Sequence, residues 1–144
     1  MAILRGAVAQ DRVLPTDITN IAAAANGGRV LNATSTLDND KDFDPGNLIS
    51  GQVFDPENNT GVKGWASNKF DPINMESVTL AFKDDTIHSL GKIVLNPVSA
   101  VTPERWAKDI EVQVSTDTAE GPYQAVAQLT LQQKAEPQTS SSAK

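Results

Sequence analysis

At 144 residues, with 39% hydrophobic and 21% charged residues, the chain has the size and composition of one folded domain. It has no cysteine and one histidine, His88, which excludes disulfide scaffolds, thiolate chemistry and any site built on two imidazoles. The net charge is −6, and residues 38–57 hold six acids against the single base Lys41, so nucleic acid and anionic lipid are poor electrostatic partners. The longest apolar runs fall far short of the roughly 20 residues that cross a bilayer, so no membrane insertion is expected. Residues 1–10 are too short and too broken for a signal peptide.

In chain order, residues 16–25 open with Thr16 or Asp17 as a candidate cap and run into alanines, a pattern that predicts a short helix. Asn26-Gly27-Gly28 forces a turn, because glycine reaches positive φ without strain. Residues 29–36 read as a strand anchored by Val30 and Leu31. Residues 37–44 are polar and acidic, residues 45–51 hold the apolar pair Leu48-Ile49, and residues 54–63 form a surface loop rich in turn formers.

The second half alternates more regularly. Val78, Leu80 and Phe82 share one face, as do Ile110, Val112 and Val114, with Ile93 and Leu95 between them in sequence. Lys83-Asp-Asp-Thr86 is a turn. In residues 123–132, Leu129 and Leu131 share a face and Val126 is a candidate to point inward. Residues 133–144 are polar and of low complexity, which predicts a flexible tail or linker. Short strands recurring between turn signals predict an all-β fold, an antiparallel sandwich or barrel.

The chain resembles the discoidin family, the coagulation factor V/VIII type C domains. The residues that carry the resemblance are an ordered set: Asn20-Ile-Ala22, Gly27-Gly28, Thr34-Ser35, Asn47-Leu-Ile-Ser-Gly51, Gly64-Trp-Ala-Ser67, the strand at 78–82, Ile93-Val-Leu-Asn-Pro97, Trp106 to Asp117, and Gly121-Pro-Tyr123. They cover residues 18–132, leaving 1–17 as an N-terminal extension. The resemblance implies a galactose-binding-like jelly-roll sandwich in an extracellular or cell-surface protein. Two departures stand out. Ser50 occupies the place where the family usually has aspartate. The family's core strand after residue 131 has no counterpart, because residues 136–144 offer no apolar residue larger than alanine apart from Pro137. The sandwich is therefore expected to be incomplete. Its missing strand would come from a C-terminal segment beyond this sequence, from a strand-completing partner chain, or from Ala2–Leu4 and Val13-Leu14 folding back.

Asp38, Asp40, Asp42 and Asp44 alternate over seven residues, a density of hard oxygen ligands that suits calcium. The run fails the EF-hand pattern, since Phe43 stands at the glycine position and Ile49 at the glutamate position. Asn47 and neighbouring carbonyls could complete a structural calcium shell, and the family often pins a loop with calcium near this place. A solvated acidic loop is the plain alternative.

Asn58, Asn59, Lys63 and Asn68 flank Trp65. Amides and ammonium groups suit sugar hydroxyls, and an indole face suits a pyranose ring, so these five residues form the candidate ligand site. The alternatives are an ordinary polar loop and a tryptophan that anchors it. Asn32-Ala-Thr34 and Asn58-Asn-Thr60 fit the glycosylation pattern. His88 has no serine elbow to serve and reads as a turn residue.

Three functions follow. The resemblance implies a non-catalytic module that binds a glycan at its loop end. The scarcity of aromatics, seven in all, and the lost aspartate favour a structural or adhesion domain that docks to cell-surface protein. A hydrolase has little support, and no enzyme activity is expected.

Overall fold

The structure, a computed structural model, describes residues 2–4, 19–37, 41–52, 57–58, 64–68, 75–97 and 106–141. The described chain is built from strands with almost no helix. The strands are β1 (Ala2–Leu4), β2 (Arg29–Ala33), β3 (Val78–Ala81), β4 (Lys92–Leu95), β5 (Asp109–Val114), β6 (Gln124–Thr130) and β7 (Gln138–Ser141). Five of them form one sheet in the order β2-β3-β1-β5-β6, while β4 and β7 form a second. All pairings are antiparallel except those of β1, which runs parallel to both β3 and β5.

The helix expected at residues 16–25 is, in its described part, a single 3-10 turn, Ala24–Asn26. Its stop is physical. Gly27 sits at φ 90° and donates to Ala24 O, and Gly28 donates to Ala23 O, the paired bonds of a left-handed helix cap. Gly28 is also pressed against the chain: a Cβ there would lie 2.1 Å from Ala22 O.

β3 is buried along its whole length, Thr79 included. A strand whose two neighbours pair with it and whose two faces are covered loses the one-sided alternation seen at a sheet surface. β5 keeps the alternation, with Ile110, Val112 and Val114 buried as their spacing predicts.

The core has two centres. Ile49, Val78 and Leu80 gather Ala22, Val30, Ala33 and Trp65. Ile110, Val112 and Leu131 gather Ile93, Leu95, Trp106, Ala127 and Leu129. Ile93 and Leu95 thus bring the two-stranded sheet onto the β5–β6 hairpin.

Two expected core residues lie outside the core for one reason. On β2, Val30 faces Leu80 and Asn32 faces Thr79, so Leu31 is the extra residue of a bulge and is 36% exposed. On β6, Ala127 faces Val112 and Ala125 faces Gln113, so Val126 is the extra residue and is 38% exposed.

Both ends of the described chain contribute strands. Ala2–Leu4 takes the centre of the large sheet, between β3 and β5, and Val13-Leu14 lies outside the described residues. Residues 138–141, polar and expected in a flexible tail, pair with β4 from Leu95↔Gln138 to Lys92↔Ser141. Strand pairing is made by backbone groups, so polar side chains do not prevent it. The Gln138 side chain also accepts from Gln132 N–H at 2.8 Å and donates to Gln132 O at 2.7 Å. No helix among the described residues is long and apolar enough to cross a membrane.

Candidate binding site

The site begins where β2 ends. Ala33 faces Val78, so residues 34–35 come out opposite 76–77. Thr34 N–H donates to Ser77 O at 3.0 Å, and Ser77 N–H donates to Thr34 Oγ1 at 2.9 Å. Glu76 Oε2 then accepts two hydroxyls, from Thr34 at 2.5 Å and Ser35 at 2.7 Å. Charge-assisted bonds of this length are the stronger kind.

Residues 64–68 are laid over this exit. Trp65 Nε1–H donates to Ser35 O at 2.9 Å, Asn68 N–H to Ser35 Oγ at 3.0 Å, and Leu37 N–H to Ala66 O at 2.8 Å. The Trp65 indole is part-buried against the Ile49, Val78 and Leu80 cluster. One side chain thus ties the loop to the core and to the end of β2.

Residues 41–50 form the third layer. Asp44 caps the 3-10 turn Pro45–Ile49 by accepting from Gly46 N–H at 2.7 Å, with proline at the turn's start. The turn delivers Ile49 into the core at 7% exposure. Asn47 joins the layers: its Nδ2 lies 3.1 Å from each of Lys41 O, Asp42 O and Gly64 O. Ser50 Oγ donates to Asn47 O at 3.0 Å and accepts from Gln52 N–H at 3.1 Å. This serine closes the turn.

Of the expected ligand-site residues, Trp65 and Asn68 come together in this knot, with Asn68 exposed and Trp65 half-buried. Asn58 is exposed, and Asn59 and Lys63 lie outside the described residues. Of the expected calcium ligands, Asp38 and Asp40 lie outside the described residues, while Asp42 and Asp44 are exposed. The Asp44 carboxylate is already a turn cap and the Asn47 amide nitrogen is a donor to carbonyls. Among the described residues, no group of three or more His, Asp or Glu side chains is placed to hold a metal ion. The residues that sequence reasoning missed are Glu76 and the hydroxyls of Thr34 and Ser35. The β2–β3 register would have revealed them, because it sets 34–35 against 76–77.

The chain matches no family model, no curated protein and no solved structure.

Proposed function

We propose that this chain is a non-catalytic, discoidin-like binding module that holds a neutral glycan at the loop end formed by residues 34–37, 41–50 and 64–68. One observation carries the reading. Three segments that bear the resemblance, Thr34-Ser35, Asn47–Gly51 and Gly64–Ser67, are far apart in sequence yet are bonded to one another through Asn47 Nδ2 and Trp65 Nε1. A cross-bonded loop cluster loses little conformational freedom when a ligand arrives, and that preorganisation is where affinity is gained.

In this reading the sandwich is a jelly roll and the module works outside the cell. Exposed Asn68 presents its amide to sugar hydroxyls; Asn58, Asn59 and Lys63 stay in the ligand set on their residue types alone. Trp65 holds the loop in place and does not stack on the sugar. A calcium between residues 38 and 51 would draw its ligands from Asp38, Asp40, Asp42, Asp44 and Asn47, on their residue types. The acidic window around residues 38–57 disfavours acidic glycans.

A second reading, a domain that docks to protein with no small ligand, is favoured by the engagement of Trp65. An indole packed on the core and bonded to Ser35 O offers little ring face to a pyranose.

A glycan array run in calcium and in chelator separates the two. The first reading expects retention of a neutral glycan, weakened about threefold to tenfold by Asn68→Ala, the worth of one ordinary hydrogen bond. Failure of every neutral glycan in both conditions gives the second reading the field.

A further inference from the structure

We propose that the cleft between residues 19–27 and 83–88 is a second binding site, shaped for a small carboxylate that carries an apolar group. Its position follows from strand register. Ala33↔Val78 marks the end of the β2–β3 pair that leads into the loop knot, and Arg29↔Ala81 marks the other end. Residues 19–27 lead into β2 and residues 83–88 lead out of β3, so the cleft lies at the end away from the knot. It does not depend on the glycan reading.

The cleft has a volume of about 610 Å³, within the range of roughly 300–1,000 Å³ typical of small-molecule sites. Ile21, Ala24 and Ala25 supply apolar wall, while Lys83, Asn26 and His88 supply polar groups. Lys83 is the only charged side chain among the lining residues, in a chain whose net charge is −6. Among the described residues 83–88 the acids are Asp84 and Asp85, and Asp85 is paired with Arg29 at 2.7 Å.

Two details make the site look built. A Cβ on Gly27 would lie 2.7 Å from both Cβ and Cγ of Lys83. The absence of a side chain at Gly27 therefore lets the lysine stem pack down at the cleft wall, which limits its freedom before any ligand arrives. His88 meets Phe82 edge-on, with ring centroids 5.5 Å apart at 90°. Its Nε2 is buried and has no hydrogen-bond partner among the described residues. Buried polar atoms are rarely left so, and His88 and Lys83 line the same cleft, so a carboxylate seated there would bring the imidazole a partner while Lys83 balances the charge.

The single histidine makes the test direct, since its ring resonances report one place. The intact chain is titrated with benzoate, acetate and inorganic phosphate, and with chloride at matched ionic strength, while the imidazole C–H signals are followed by NMR. The expected result is a saturable shift with benzoate, tighter than with acetate or phosphate and absent with chloride. Lys83→Met, which keeps the stem and removes the charge, should weaken benzoate at least fivefold, while Asn68→Ala should leave it unchanged. A shift that fails to saturate, equal responses to benzoate and chloride, phosphate binding as tight as benzoate, or an unchanged Lys83→Met variant would each overturn the proposal.

Discussion

Asn47 is the residue on which the loop end turns. A part-buried amide nitrogen that meets three carbonyls from two segments has no substitute among the other side chains of the knot. Replacing it with alanine lets Lys41 O and Asp42 O turn to water but strands Gly64 O, whose bond is part-buried. The cost of such a stranded acceptor is about 1–3 kcal/mol. Asn47→Ala should therefore lower the urea midpoint by that much stability, with the slope unchanged. Asn68→Ala should stay within about 0.5 kcal/mol, the usual range for a surface position, because the knot uses the backbone N–H of Asn68. If the two variants unfold alike, Asn47 is not the strut described above. The contrast also protects the glycan experiment: a binding loss in Asn68→Ala would then be a loss of contact and not of fold.

At the scale of elements, the sequence revealed the strands by their alternation wherever the alternation was unbroken. β5 is the clear case, with its inward residues buried as spacing predicts; on β3 the inward residues are buried too, but so are Thr79 and Ala81, which spacing alone would turn outward. The pattern failed at Leu31 and Val126, the two bulged residues. A bulge inserts one residue that belongs to neither face, and nothing local in hydrophobicity distinguishes it from an anchor. The alternation on β6 does change phase where Val126 stands, but Val126 is itself the extra residue. β1 and β7 were hard to see for another reason: three residues, or a polar run, carry too little periodic signal, and only their partners specify them. The site was legible in part. The segments that carry the resemblance did come together, whereas the Glu76 hydroxyl contacts depend on register, which a single strand does not encode. The bulge account has a measurable consequence. Leu31→Ala and Val126→Ala should each cost under about 1 kcal/mol, because little surface is lost from the core. Leu80→Ala, in a buried cluster, should cost about 2–5 kcal/mol. Equal costs at all three positions in chemical denaturation would contradict the bulged placement.

At the scale of the whole molecule, the two core centres lie on opposite sides of β1. One belongs to β2, β3 and the turn at 45–49, the other to β4, β5 and the residues around β6. In the large sheet they are joined by three residues, with Ile3↔Thr79 and Leu4↔Leu80 on one side and Ala2↔Val112 and Ile3↔Gln113 on the other. Each half has its own antiparallel pair and its own buried cluster, so each can hold protection against exchange that the other does not share. Ile3 is the residue registered on both sides. Proline there removes a backbone donor and fixes φ in the middle of a sheet, a position proline does not tolerate. Ile3→Pro should therefore uncouple the halves. Native-state hydrogen exchange would then show β2–β3 amides and β5–β6 amides opening with different free energies and different denaturant dependence. In the parent chain the most protected amides of both halves should open together. If Ile3→Pro lowers protection equally across both pairs, the sheet is one cooperative unit and β1 is not the link between its halves.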